Sequence, residues 1–355
     1  MSNPTRYPEI EVSGTPYEMG RQLGEAAREM IRGFTDVALE RVNKTVKISS
    51  EHAMEVAEAS FAPIEKYTPH LLEEIRGMAE SSGVSSEQLM LLQVRNQLRP
   101  DEDAGCTSFS AADSNASETG PAIVGQNWDN DPELDPYTIV LTRRPTDQPA
   151  HLNITQAGLI GYIGLNDRGI GICLNTLPAP SRPLGVPHYF VVRAMYETAS
   201  LNGAVEAVRR ANRALPANLM MITPQGPADL EITIDDVRVL QDPKGQVVTH
   251  TNHCVHPDFV PINNDFPELI ESRPRKRRID ELFAGVEHHT DVASLQEFLR
   301  DHENYPTSIC RHVNDDPQFG FWTTVVSVII EAKAGCMHVS RGNPCEKPYE
   351  TYRLH

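Results

Sequence analysis

The chain has 355 residues, 39% hydrophobic and 23% charged, which is ordinary globular usage and enough to bury a sizeable core in one large or two ordinary domains. Its 49 acidic against 32 basic residues give a formal net charge of −17, a surface that repels nucleic-acid phosphates and anionic lipid and disfavours both as partners. No run approaches the ~18 consecutive apolar residues of a membrane span, and segment 1–8 lacks the apolar stretch of a secretory signal, so the expected location is the cytoplasm.

Taken in chain order, the first hundred residues read as helical. From Pro16 to about Val42, apolar residues recur at helical spacing through Met19, Leu23, Ala27, Met30, Ile31, Phe34 and Val37. A second stretch runs through Met54, Val56, Ala59 and Phe61, is punctuated by Pro63 and Pro69, and resumes from Leu71 to Ala79 until Gly83 stops it. Ser85 and Gln88 are the two ends of a capping box for a helix through Leu89, Leu92 and Leu98, which Pro100 closes.

The pattern changes at the acidic loop Asp101-Glu102-Asp103-Ala104-Gly105. Cys106–Ala111 then has strand character, Asp113–Gly120 reads as a hairpin turn, and Ala122–Trp128 as the returning strand. Further strands fit Tyr137–Arg143, Leu152–Gln156, Ile170–Asn175, Leu219–Thr223, Leu230–Ile234, Thr323–Ala332 and Cys336–Arg341. Helices fit 188–213, 275–284 and 292–302, and neither an internal repeat nor a long linker follows residue 105. Helices at the front, with strands dominating the middle and end, predict an α+β, layered arrangement and not the strict alternation of a doubly wound sheet.

Six cysteines (Cys106, Cys173, Cys254, Cys310, Cys336 and Cys345) are scattered without a C-x-x-C pair, as free thiols in a reducing compartment would be. Cys106 stands apart, because it follows Gly105 directly at the junction between the helical region and the first strand. Glycine lets the preceding bond bend at low steric cost. If Cys106 attacks the Gly105 carbonyl, the peptide rearranges to a thioester that water opens. The released α-amine, with a reference pKa of ~7.7–8.0, can then act as general base for the thiol on its own residue. The competing reading is a buried structural cysteine opening a strand.

Gly105-Cys106-Thr107-Ser108-Phe109 and Gly125-Gln126-Asn127-Trp128-Asp129 resemble the acyl-coenzyme A:6-aminopenicillanic acid acyltransferase family and its bacterial relatives (peptidase family C45). The likeness continues in register through 157–161, 164–166, 184–187, His250-Thr251-Asn252-His253-Cys254 and 304–311, and Gly14–Gly20 resembles the start of bacterial members. The resemblance implies an N-terminal-nucleophile hydrolase: a four-layer αββα sandwich split into an α chain (1–105) and a β chain (106–355) that stay together as one domain. It implies Cys106 as nucleophile and autocleavage between Gly105 and Cys106. Asp129 would hold the free α-amine, and Asn252 would donate its side-chain amide to the oxyanion. A backbone donor near Asn175 and Thr176 would complete the hole, with Thr107 and Arg311 beside the substrate. Removing one such donor typically costs ~10²–10³ in rate.

One departure bears on specificity. Where fungal members carry Ser-Arg-Gly, this chain has Gln318-Phe319-Gly320, and loss of that cation argues against penicillin-like substrates. The expected substrate is a small-molecule N-acyl amine or N-acyl amino acid, and a homo-oligomer is compatible with the sequence. No coenzyme A site and no cofactor stands out. Acyl transfer from a thioester is the alternative reaction, and a non-catalytic or metal-binding relative is the alternative class.

Two further signals have plain readings. The cluster His250, His253, Cys254 and His256 offers zinc ligands, but strand alternation over 247–253 would send His250 and His253 to opposite faces, so no metal is expected. The basic run Arg273–Arg278 sits among Glu268, Glu271, Asp280 and Glu281 and reads as a solvated helix face. His312, His338, Cys173, Cys310, Cys336 and Cys345 read as packing residues.

Overall fold

The computed structural model describes residues 5–44, 46–98, 105–112, 122–244, 246–266, 271–286 and 291–355. Strand β1 (Glu9–Gly14) precedes six helices: α1 (Pro16–Ala26), α2 (Arg28–Val42), α3 (Ser50–Ala59), α4 (Phe61–Tyr67), α5 (Pro69–Ser82) and α6 (Ser86–Val94). Strands β2 (Cys106–Ala112), β3 (Ala122–Asn130), β4 (Thr138–Pro145), β5 (His151–Gln156), β6 (Ile163–Asn166) and β7 (Gly171–Asn175) follow. Then come helices α7 (His188–Met195) and α8 (Leu201–Arg210), and strands β8 (Ala217–Thr223), β9 (Gly226–Ile232), β10 (Val237–Leu240) and β11 (Val247–His250). Helices α9 (Ser272–Ala284) and α10 (Val292–Leu299) lead into β12 (Thr323–Glu331), β13 (Cys336–Arg341) and β14 (Tyr349–Arg353).

Local chemistry explains most boundaries. The capping boxes Thr15/Glu18 and Ser85/Gln88 start α1 and α6, with Pro16 preset for the first turn of α1. The helix expected over 16–42 breaks at Ala27 (φ −109°, ψ 19°). The one expected over 188–213 divides because Ser200 caps α8 by accepting from Gly203 N at 3.1 Å. The strand expected to run to 253 stops at His250. Four strands carry no clear sequence signal: β1, β6, β10 and β14. Each is short, and three of them lie at sheet edges, where pairing to an established neighbour decides the conformation. The expected turn at 113–120 and the acidic residues 101–104 lie outside the described residues.

The strands form two sheets. One has eight strands in the order β1-β4-β5-β6-β7-β8-β9-β10, antiparallel except for the parallel β1/β4 pair. The other has six, in the order β11-β2-β3-β12-β13-β14. They pack face to face through β2 and β3 against β7, β8 and β9. Strands β7 and β8 are buried on both faces, which explains why they read as continuous apolar runs and not as alternations. Helices α1–α8 cover the outer face of the larger sheet, and α9 and α10 cover the smaller one. The result is a four-layer αββα sandwich of the α+β class, as the resemblance implied.

The segment before Cys106 is built into this core and not laid upon it. The main apolar cluster runs from Tyr7 through Leu98 and from Cys106 through Tyr352. Helices α1 and α5 cross so closely that a Cβ on Gly20 would lie 2.0 Å from Glu74 O. The fully buried Glu74 carboxylate accepts from Arg143 Nε at 2.6 Å and Arg193 Nη2 at 3.3 Å, tying α5 to β4 and α7.

Candidate active site

Cys106 opens β2, which lies between β11 and β3 in the smaller sheet, and stands opposite Trp128 on β3. Residues paired across an antiparallel ladder share a face, so Cys106 and Trp128 look into the space between the sheets. The Cys106 thiol donates to Leu174 O on β7 at 3.7 Å, and the residue is 2% exposed. Trp128, Tyr162 and Tyr189 stack edge to face beside it, with centroids 5.0 and 5.4 Å apart.

The peptide between Gly105 and Cys106 is held at both ends. Asp129 N donates to Gly105 O at 2.8 Å, and Cys106 N donates to Asn252 Oδ1 at 2.9 Å. Arg275 on α9 adds a third anchor: Nη1 donates to Cys106 O at 2.5 Å and to Thr107 Oγ1 at 3.0 Å, and Nη2 donates to Asn252 Oδ1 at 2.9 Å. A guanidinium and a backbone N–H can only donate, so the atom facing both must be the Asn252 oxygen. Its Nδ2 therefore faces Thr176 O, at 3.0 Å. Asn175 ties the same corner together, donating to Thr251 O at 2.9 Å and accepting from Gln126 Nε2 at 3.4 Å.

The turn that carries Asn252 is clamped from two sides. Glu231 on β9 accepts from His250 Nε2 at 2.9 Å, Val255 N at 2.5 Å and His256 N at 3.1 Å. His250 Nδ1 faces Thr251 O at 2.8 Å. Both ring nitrogens face acceptors, an arrangement that favours the imidazolium form of His250. Burial opposes that charge, but Asp229 and Glu231 hold its pKa above the usual value. Burial pushes the Asp229 carboxyl up to about 7, the charge of His250 pulling the other way. From α9, Ser272 Oγ accepts from Asn252 N at 2.7 Å and meets His253 Nδ1 at 2.7 Å. The ligand groups of 250–256 meet different partners, but not by strand alternation: the strand ends at His250, and the His250 and His253 rings stack with centroids 6.5 Å apart instead of lying on opposite faces.

On the opposite face of the smaller sheet lie Thr107, Asp129, Arg275 and Arg311, all buried. Asp129 Oδ1 accepts from Thr324 Oγ1 at 2.7 Å; among the described residues Oδ2 meets no donor. Burial pushes the Asp129 carboxyl up to about 6, against the pull of Arg275, Arg311 and the Thr324 hydroxyl. Arg311 donates its backbone N–H to Thr324 Oγ1 at 2.9 Å and pairs with Glu271 at 3.4 Å. Thr107 and Arg311 are therefore placed behind the sheet, away from the thiol, where they brace the backbone. Of the two residues expected around Cys106, Asn252 meets it with its side-chain oxygen at Cys106 N, whereas Asp129 reaches the junction through its backbone N–H on Gly105 O, its carboxylate bonding Thr324.

Two residues that matter here do not stand out in the sequence. Arg275 reads there as part of a solvated basic face, and the structure corrects this: it lies one and two turns before Ile279 and Phe283 on the buried stripe of α9. That i, i+4, i+8 spacing is the available signal. Glu231 has none, because its partners are 19 to 25 residues away. A cation does stand near Gln318: Lys44, with Pro317, Gln318 and Phe321, lines an open groove. Its Nζ is already paired with Asp131 at 2.7 Å and Glu133 at 3.0 Å.

No helix among the described residues is long and apolar enough to cross a membrane. A sequence profile of the family described as acyl-coenzyme A:6-aminopenicillanic acid acyl-transferase matches residues 115–346, a stretch that begins downstream of Cys106. The chain is 27% identical over 350 residues to the acyl-coenzyme A:6-aminopenicillanic-acid-acyltransferase 40 kDa form of Emericella nidulans, covering 97% of this chain and 94% of that one. Among solved structures, penicillin V acylase from Agrobacterium tumefaciens is 12% identical with a TM-score of 0.47, covering 70% of this chain and 86% of its own. A mutant of conjugated bile acid hydrolase from Clostridium perfringens is 13% identical with a TM-score of 0.45, covering 70% and 97%.

Proposed function

Given that the chain belongs to the acyl-coenzyme A:6-aminopenicillanic acid acyl-transferase family, we propose that it is a self-processing amidohydrolase whose nucleophile is the N-terminal thiol of Cys106. The observation that carries this reading is the grip on the Gly105–Cys106 peptide, with its carbonyl oxygen on Asp129 N and its N–H on Asn252 Oδ1.

In the first step Sγ adds to the Gly105 carbonyl carbon, and the oxygen becomes an oxyanion facing the Asp129 N–H. The C–N bond breaks as Cys106 N takes up a proton, leaving a thioester, which water opens to a Gly105 carboxylate and a free thiol. The new amine keeps Asn252 Oδ1 as acceptor, and Asp129 Oδ2, which meets no donor among the described residues, supplies a counter-charge for its ammonium form. In turnover the neutral amine takes the thiol proton, Sγ attacks the substrate carbonyl, and the leaving amine accepts that proton. Water then releases the acid. Asn252 Nδ2, relieved of Thr176, serves the substrate oxyanion together with a backbone donor at Asn175–Thr176.

The proposed substrates are small N-acyl amines or N-acyl amino acids. The relative's name includes acyl-coenzyme A, and the same acyl-thioester would pass to an amine if the amine arrives before water. The test is to quench the processed enzyme during turnover of a panel of N-acyl amines and map the adduct. The expected result is one acyl mass on the peptide that begins with Cys106, and none in Cys106→Ala. Turnover without that adduct, or undiminished in Cys106→Ala, would overturn the reading. Adding free amine separates hydrolysis from transfer by the product formed.

A further inference from the structure

Four side chains that read from the sequence as packing residues, or do not stand out there, converge outside the active site. His302 follows α10, Cys310 and His312 flank Arg311, and Cys345 lies in the turn between β13 and β14. Among the described residues this is the group in which at least three His, Cys, Asp or Glu ligand atoms come together, all four within 4.8 Å of one another. The two Nε2 atoms are 3.1 Å apart and the two sulfurs 3.6 Å apart. Each sulfur is 3.6 Å from His312 Nε2.

These distances have a chemical meaning. A tetrahedral zinc ion with Zn–S of about 2.3 Å and Zn–N of about 2.05 Å has edges of about 3.8 Å between sulfurs, about 3.6 Å between sulfur and nitrogen, and about 3.4 Å between nitrogens. Four of the six edges agree with these values to within about 0.3 Å, and the remaining two, from His302 Nε2 to the sulfurs, lie within 4.8 Å, a gap that a small turn of the exposed His302 side chain would close. The group also has the surroundings of a ligand set: Asn343 Nδ2 approaches Cys310 Sγ at 3.5 Å, and Cys310 N donates to Asp301 O at 3.0 Å.

We propose that His302, Cys310, His312 and Cys345 form a structural zinc site. Two thiolates and two imidazoles close to tetrahedral spacing suit zinc, and four protein ligands leave no position for substrate. The ion would join two loops, the α10–β12 connection that carries His302, Cys310 and His312 and the β13–β14 turn that carries Cys345. Between two of its ligands sits Arg311, whose N–H bonds Thr324 Oγ1, which in turn bonds Asp129 Oδ1. The site would thus hold the segment that backs Asp129 without itself entering the chemistry.

The experiment uses the full chain without an affinity tag, grown with added zinc, desalted under reductant and analysed for metals. About one zinc per chain is expected, falling to near zero in His302→Ala and in His302→Ala/Cys345→Ser. His302 is exposed, so the single variant should fold, and circular dichroism checks this. Cobalt in place of zinc should give the visible spectrum of a tetrahedral thiolate complex, lost in the same variants. Chelation should lower the melting temperature, and zinc should restore it. Folded wild-type chain with no zinc and no cobalt–thiolate spectrum would overturn the proposal. So would zinc retained in the double variant, or a Cys310–Cys345 disulfide in its place.

Discussion

Asn252 meets the Gly105–Cys106 junction with its oxygen and Thr176 with its nitrogen, and these two ends belong to different steps. Replacing Asn252 by Asp keeps an acceptor for Cys106 N and Arg275 but removes the amide donor. Asn252→Asp is expected to cut itself within about tenfold of the normal rate, yet to lose ~10²–10³ in substrate turnover. Mass spectrometry of the cleavage time course and a steady-state assay measure the two separately. Asp129 sets the pH dependence. With its carboxyl pushed up to about 6 in the intact chain, it is neutral below that pH and cannot balance the developing ammonium. Self-cleavage after a pH jump should therefore rise with pH up to about 6 and then level, and Asp129→Asn should be slow throughout. The sign for stability is the reverse. The folded chain holds this proton more tightly than the ordinary value of 3.8 allows, so the group's stabilising contribution is complete at low pH and is lost as pH rises through about 6.

The residues legible from sequence are those whose neighbours along the chain carry the pattern: the glycine before Cys106, the strand ending in Asp129, and the short block around Asn252. Arg275 and Glu231 act from 169 and 19 residues away, respectively, on Cys106 and on His250, and local pattern cannot register such distances. The same limit hides Cys345, which lies 33 residues beyond His312 and without which His302, Cys310 and His312 do not stand out as a set.

At the scale of elements, α9 links packing to chemistry. Its inner stripe carries Arg275, Ile279 and Phe283, so the helix that covers the smaller sheet also delivers the guanidinium to Cys106 O and Asn252. Two substitutions separate these roles. Ile279→Ala should lower stability by about 2–5 kcal/mol, by cavity formation, and leave cleavage per folded molecule near normal. Arg275→Met should cost about 3–5 kcal/mol, because it strips Asp129 of a buried counter-charge, and should slow cleavage at least tenfold. Denaturant midpoints and cleavage rates at a temperature where both variants are folded check this. The elements themselves are readable where caps and periodicity are strong, as at Thr15, Ser85 and the buried runs of β7 and β8. They are not readable where a four- to six-residue strand depends on its neighbour, as in β1, β6, β10 and β14.

For the whole molecule, the consequence of cutting before Cys106 follows from where the preceding segment lies. Strand β1 pairs with β4 as the edge strand of the larger sheet, Tyr7 N bonds Tyr352 Oη at 2.8 Å, and α1–α6 share one apolar core with residues beyond Cys106. The pieces 1–105 and 106–355 should therefore elute together under native conditions and separate only in denaturant. Size exclusion with and without guanidinium tests this, and early release of the smaller piece would contradict it.

The most direct test of the account is the intact mass of purified protein under denaturing conditions, wild type beside Cys106→Ala. The account predicts two wild-type fragments meeting between Gly105 and Cys106, and a single full-length chain in the variant. A single full-length chain in both after prolonged incubation, or the same two fragments in both, would contradict it.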